Sequence, residues 1–265
     1  MTEKDFVILM KEAFLSELPE SEIFVFDNID STNTRAKEYA LENGKKSAFF
    51  IAKSQSGGRG RRGRSFLSNE GGLYLSYLCY PELLAKDAIK LTVFAAVALA
   101  ETVLEFSGKE VGIKWVNDLI LGEKKLAGIL TEGEFCDSGK TFRYAVVGIG
   151  VNLYRQSFGE ELSGIATDLE SESGERVDIY AFAVSLAKRL ASFETSRSQE
   201  YMEKYRKLSV ALGRRVSVTD ADGAYPATAL EIKDSGALLV RLDSGEEREL
   251  NSGEISIRLE NKEKS

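Results

Sequence analysis

The 265-residue sequence contains no histidine. That absence removes Ser-His-Asp triads, Cys-His pairs and imidazole-ligated metals together, so any chemistry must rest on Arg, Lys, Asp, Asn and backbone groups. Cysteine is nearly absent too: Cys79 and Cys136 lie far apart with no CxxC, which excludes a disulfide framework and a cysteine metal site and points to a reducing, cytoplasmic setting. Long apolar runs are missing. The longest, Leu91 to Ala100, sits between Lys90 and Glu101 and covers about half of the ~20 residues a membrane span needs. The N-terminus has only a short apolar run behind acidic residues and a lysine, unlike a signal peptide. There is no basic excess either. Thirty-five Lys and Arg against 42 Asp and Glu give a net charge of −7, which argues against nucleic acid as the main partner.

What is present suits a folded protein. Hydrophobic residues make up 43% and aromatics 9%, enough to bury a real core. Helical spacing of Phe6, Leu9, Met10 and Phe14 predicts a helix over residues 1 to 18, stopped by Pro19. A strand at Phe24 to Phe26, a helix capped by Asp30 or Ser31 and closed at Gly44, and a strand at Ala48 to Lys53 follow. Gly72 to Tyr80 reads as a strand and Ile89 to Phe106 as a buried helix. From Val111 the pattern is strand-like, with a turn at GEKK, and a helical stretch runs from about Ile179 to Leu208. Beyond Leu212 short apolar runs alternate with turn pairs at Asp222-Gly223, Ser235-Gly236, Ser244-Gly245 and Ser252-Gly253, the texture of a small closed β-barrel. The expected division is therefore residues 1–210 and 211–265.

The least ordinary segment is QSGGRGRRGRSFLSNEGG. Lys53, Arg59, Arg61, Arg62 and Arg64 stand together without an acid or an apolar side chain before Phe66. Such a segment cannot bury itself, and its guanidinium forks and glycine N–H groups suit an anion. Gly58, Gly60 and Gly63 spell G-x-G-x-x-G, but a dinucleotide fingerprint opens a helix and this one runs toward a strand. Gly58 to Ser65 resembles a P-loop with its lysine replaced by arginine and, again, no helix behind it. An RNA-binding arginine-glycine segment lacks the interleaved aromatics, and a solvated basic loop without function stays open.

Three further segments narrow the choice. Asp30-Ser31-Thr32-Asn33 stands at a helix start, Lys114-Trp115-Val116-Asn117-Asp118 precedes Lys125-Leu126-Ala127-Gly128-Ile129-Leu130, and Gly148-Ile149-Gly150-Val151-Asn152 follows. In this order, with the arginine loop and the late Gly253-Glu254-Ile255-Ser256, they resemble the biotin protein ligases, the biotin–[acetyl-CoA-carboxylase] ligases, from about residue 24 to 260. The resemblance implies an α+β fold: a mixed-sheet catalytic domain with packed helices, similar to class II synthetases, plus a C-terminal SH3-like β-barrel. Only 30 residues precede Ser31, which resembles the ligase-only form without a DNA-binding winged helix, so no DNA partner is expected.

The activity implied is the joining of biotin and ATP into biotinyl-5′-adenylate, then transfer of biotin to one lysine of a biotin carboxyl carrier protein. The lipoate and octanoate ligases, which share the fold, are the alternative. By resemblance Lys125 lies between the biotin carboxylate and the α-phosphate, Arg61 and Arg64 hold phosphates, and Arg59 stands near biotin. Asp118, supported by Asn117, is the expected ligand for Mg²⁺ carried on ATP. Ser31, Thr32 and Gln55, with the backbone near Gly58, fit the ureido ring, Asn33 belongs to the same binding segment, and Gly128 and Gly150 leave room for the apolar part of biotin. Asn152 matches the adenine-reading position, and Phe66 falls where many members carry a tryptophan over the adenylate. Val116 replaces the usual proline of KWPND, which puts the aim of Asn117 and Asp118 in question. For the second step Asp118 or a water takes the proton of the carrier lysine, and an exposed sheet edge offers a homodimer contact.

Overall fold

The structure is a computed structural model that describes residues 3–136, 139–194, 200–220, 223–251 and 254–257. Its first part is built on β1 (Glu22–Ile29), β2 (Ala48–Gln55), β3 (Gly72–Cys79), β4 (Gly112–Lys114), β5 (Asp118–Leu121), β6 (Lys124–Phe135) and β7 (Phe142–Asn152). These form one sheet in the order β1-β2-β3-β7-β6-β5-β4. The β1–β2 pair is parallel and the other neighbours are antiparallel, so the sheet is mixed as expected.

Strand periodicity assigns each face its task. Phe49 and Ile51 of β2, Leu73, Leu75 and Tyr77 of β3, and Ala145, Val147, Ile149 and Val151 of β7 belong to the main core. That core is closed by α1 (Glu3–Glu17), α3 (Ile89–Ser107) and α6 (Ile179–Ala191). Helix α3 is apolar on nearly every side because it lies against the sheet, α6 and α7 (Glu200–Leu208), and each fully buried Leu or Val contributes about 1.5–3 kcal/mol. On the opposite face Ala48, Phe50, Leu78, Tyr144 and Val146 pack under α2 (Thr32–Glu42). The same alternation then carries Ser76 and Gly148 under Thr32 and Asn33 at the first turn of α2, and Gly150, Gly128 and Leu130 beyond it.

After β7 come two short helices, α4 (Gly159–Leu162) and α5 (Leu169–Ser173). The second sheet holds β8 (Arg215–Asp220), β9 (Gly223–Ile232), β10 (Leu238–Leu242), β11 (Glu247–Leu250) and β12 (Glu254–Ile257), in the antiparallel order β11-β10-β9-β8-β12 of an SH3-like meander. Gly236 and Gly245 both take positive φ, 89° in each case, which accounts for the Ser-Gly turns. Asp222, Ser252 and Gly253 lie outside the described residues.

Several expectations need correction. The single helix from Ile179 to Leu208 is two helices: α6 ends in a 3₁₀ turn at Ser192–Glu194 and α7 begins at Glu200. The sequence between them is rich in Ser and Thr, whose side chains compete for backbone hydrogen bonds. Strand β1 extends well beyond Phe24 to Phe26, since parallel pairing with β2 recruits its polar end. The GEKK turn tightens to Gly122-Glu123, with Gly122 at φ 63°, so Lys124 and Lys125 are strand residues. Among the described residues no helix is long and apolar enough to cross a membrane.

Candidate active site

The sheet face at and beyond the first turn of α2 is the floor of a cavity of about 240 Å³. Ser31, Thr32, Asn33 and Gln55 line one end, and Arg61, Arg64, Asn117, Asp118 and Lys125 line the other, with Arg59, Phe66 and Gly128 between them. Most of the residues singled out in the sequence thus meet in one place. Gly58 and Asn152 do not line it. Gly58 closes the arginine loop, where its carbonyl accepts from the Phe66 N–H at 2.9 Å, and an added Cβ would lie 2.3 Å from Ser68 Oγ. Asn152 is buried and donates its amide N–H to the Thr167 carbonyl at 3.0 Å, while the Thr167 N–H reaches the carbonyl of Lys125.

Ser31 occupies the N-cap position of α2 but its side chain makes no capping bond. The first helical N–H, that of Thr32, is satisfied at 2.8 Å by Gln55 Oε1, which reaches in from the end of β2. Borrowing the cap from Gln55 leaves the Ser31 hydroxyl facing the cavity. Gln55 Nε2 in turn donates to Ser68 Oγ, and Ser68 donates to the Phe66 carbonyl. The polar end of the cavity is therefore stitched to the base of the arginine loop.

That loop has a definite path. Gly60 N–H donates to the Arg64 carbonyl, Arg59 bridges Ser65, and Arg61–Gly63 forms one 3₁₀ turn with Arg62 at φ 55°. No α-helix follows it, which disposes of the P-loop and dinucleotide readings. Arg61 donates to Asn117 Oδ1 at 3.1 Å, and Arg59 reaches Thr34 Oγ1 at 3.1 Å. Phe66 is the apolar anchor. Its ring lies over Gly150 and Gly128, where an added Cβ would come within 2.6 and 3.2 Å of ring carbons. The space above these glycines, expected to admit a ligand's apolar part, is taken by that ring.

At the cationic end Lys125 Nζ lies 2.7 Å from Asp118 Oδ1. That oxygen is buried, with the Lys125 ammonium as its charge partner. Val116 in place of proline does not misdirect the segment, since Asn117 and Asp118 both reach the cavity. Three bonds hold it: Tyr205 of α7 donates to the Val116 carbonyl at 3.0 Å, Trp115 Nε1 to the Gly236 carbonyl at 3.0 Å, and Asn117 Nδ2 to the Ile129 carbonyl at 3.0 Å. Tyr205 is fully buried, and burial pushes its phenol well above the usual range.

Residues the sequence did not single out also belong here. Ser76 is fully buried within a strand that is otherwise apolar, and that lone hydroxyl was a visible signal. Glu132 lies on β6 two and four residues beyond Leu130 and Gly128, hence on the same face. Burial raises its carboxyl, but hydrogen bonds from Lys37 and Asn33 and the charges of Lys37 and Arg59 outweigh it, leaving the group below the ordinary glutamate value. Thr219 also lines the cavity, from the C-terminal sheet, and Lys114 and Ile255 reach it from the two motifs that contain them.

Comparison with known proteins agrees with this geometry. Residues 25–152 match the biotin/lipoate A/B protein ligase family and residues 211–258 the biotin protein ligase C-terminal domain. The chain is 32% identical over 226 residues to the bifunctional ligase/repressor BirA of Bacillus spizizenii, covering 83% of this chain and 69% of that protein. It is 30% identical over 231 residues to the biotin–[acetyl-CoA-carboxylase] ligase of Paracoccus denitrificans, covering 82% and 92%. Among solved structures, the biotin protein ligase of Aquifex aeolicus in complex with biotin and ATP superposes with a TM-score of 0.74 at 29% identity, over 89% of this chain and 98% of that one. On the two family matches, the identity to these relatives and the shared fold, the chain belongs to the biotin protein ligase family.

Proposed function

We propose that the protein activates biotin with ATP to biotinyl-5′-adenylate, releasing pyrophosphate, and then transfers biotin to a lysine of a biotin carboxyl carrier domain. The observation that carries this reading is the polarity of the cavity, with neutral donors and acceptors at one end and Lys125, Arg61 and Arg64 converging at the other. Adenylation brings a carboxylate against an α-phosphate, two anions that repel until cations neutralise them. Lys125, at the cationic end beside Asp118, takes that task. Arg61 and Arg64 hold phosphates, and Phe66 supplies the apolar surface over the adenylate.

The far end separates biotin from lipoate. A ureido ring offers two N–H donors and a carbonyl acceptor, and Thr32 and Gln55 present groups of both kinds, whereas a dithiolane ring has no use for them. The relative from Paracoccus denitrificans at 30% identity is a biotin–[acetyl-CoA-carboxylase] ligase as well.

Among the described residues no cluster of three or more acidic, Cys or His side chains exists to cage a metal. Asp118, a carboxylate on the wall of the cavity beside Lys125, fits Mg²⁺ that arrives on a nucleotide and needs one protein carboxylate. When bound, that ion offsets phosphate charge. In the transfer step Asp118, with water, is the acceptor for the proton of the carrier lysine. Cys79 and Cys136 form no disulfide, in keeping with a cytoplasmic location. The edge strands β1 and β4 offer a route to a homodimer.

Biotin-dependent exchange of labelled pyrophosphate into ATP tests the reading. Exchange with biotin and none with lipoate is expected; no exchange with either in the presence of Mg²⁺ would overturn it.

A further inference from the structure

Four arginines stand in the loop, and the cavity accounts for three of them. Arg59, Arg61 and Arg64 line it, together with Gly60 and Ser65, whereas Arg62 in the middle of the same run does not. The Arg62 side chain is exposed, and among the described residues it makes no hydrogen bond, ion pair or ring contact. The backbone turns it out. Arg62 takes φ 55° and ψ 36° inside the Arg61–Gly63 turn, and Gly63 follows at φ 73°. Among the described residues Arg62 is the only one other than glycine with a positive φ. Glycine adopts that conformation freely and a residue with a Cβ does so at a cost, so the turn itself gives no reason for an arginine. A residue held in this way argues for a task of its side chain.

The rim of the cavity is where the second substrate must arrive. A lysine side chain is short, so it reaches an adenylate on the cavity floor only when the domain that carries it rests on the rim. The whole chain has a net charge of −7 and repels an acidic domain at long range. The loop is the local exception, since Lys53 and its four arginines stand together without an acid. Arg61 and Arg64 face the cavity, and Arg62 between them presents its planar fork to the outside, a shape that suits a carboxylate.

We propose that Arg62 docks the carrier domain by pairing with a carboxylate that flanks the acceptor lysine, and that it takes no part in forming the adenylate. A charge on the rim acts on the encounter of the two proteins and makes it depend on salt.

The proposal rests on the biotin ligase reading, whose two steps are measured apart. Pyrophosphate exchange follows adenylate formation. Transfer of labelled biotin to a biotin carboxyl carrier domain follows docking and attack together, and transfer to hydroxylamine follows attack without docking. Arg62→Gln should leave exchange and hydroxylamine transfer within twofold and lower kcat/KM for the carrier at least fivefold. Arg62→Gly, which relaxes the backbone, should show the same loss and so separates the guanidinium from the turn. Raised salt should narrow the gap between the unaltered protein and Arg62→Gln. With a carrier whose carboxylates beside the acceptor lysine are changed to amides, the Arg62→Gln loss should shrink to less than twofold. A carrier loss below fivefold in either variant, a change beyond twofold in exchange or hydroxylamine transfer, a gap unmoved by salt, or a loss of twofold or more with the amide carrier overturns the proposal. Absence of exchange in the unaltered protein would sink the ligase reading instead, and exchange without carrier transfer would remove the step on which the proposal rests.

Discussion

The Lys125 ammonium and the Asp118 carboxylate form an ion pair at 2.7 Å, so the cation assigned to the reacting anions and the acid assigned to the metal neutralise one another before substrates arrive. Both are partly shielded, which makes the pair a stored arrangement of charge whose partners substrate phosphates and their cation would exchange. Replacing Lys125 with Ala should cost about 2–4 kcal/mol of transition-state stabilisation, read as a fall in the exchange rate at saturating substrates. A loss smaller than about threefold would make the lysine peripheral.

Arg61 donates to Asn117 Oδ1 and lines the cationic end. If it holds the adenylate phosphate, Arg61→Gly should release the intermediate faster and label lysines on bystander proteins. An unchanged dissociation rate of labelled adenylate in a filter assay would remove Arg61 from the phosphate site.

Two glycine substitutions separate packing from backbone effects. At Gly148 a methyl group would meet Asn33, which is buried and cannot swing away, so Gly148→Ala should cost about 1–3 kcal/mol in a denaturant melt and weaken biotin binding. At Gly63 nothing lies within 4 Å of an added Cβ, but φ is +73°, and Gly63→Ala should cost about 1–2 kcal/mol with no direct effect on the neutral end of the cavity. Equal effects of the two on biotin affinity would contradict this assignment.

Arg61, Arg62 and Arg64 are exposed or half-buried tryptic sites on a loop anchored mainly by Phe66 and the bonds at its base. Biotin plus ATP should suppress cleavage between Arg59 and Arg64 by at least about tenfold, equivalent to roughly 1.4 kcal/mol of loop stabilisation. Identical digestion rates with and without ligands would mean that the loop does not close over the site.

The groups facing Glu132 are Lys37 from α2, Arg59 from the loop, Tyr144 from β7 and the Asn33 amide. Because the folded pKa lies below the unfolded value of 4.5, the charged network is complete above that value and is lost only as pH falls through the lower folded one. Affinity for biotinamide, which has no titrating carboxyl, should stay flat from neutral pH to about pH 5. A midpoint between pH 5 and 7 would show that the Glu132 carboxyl is raised instead.

Much of the protein was legible along the chain. Apolar runs between turn residues marked β3, β6 and β7 as strands, and the absence of histidine confined the chemistry to Lys, Arg, Asp and amides. The arginine loop was recognisable because so many like charges without an apolar neighbour cannot be buried. Tertiary structure decided the rest, since it depends on contacts between residues far apart in sequence. No local pattern shows that Gln55 caps α2 and so leaves Ser31 to the cavity, that Phe66 fills the space above Gly128 and Gly150, or that Thr219 reaches the site from the second sheet.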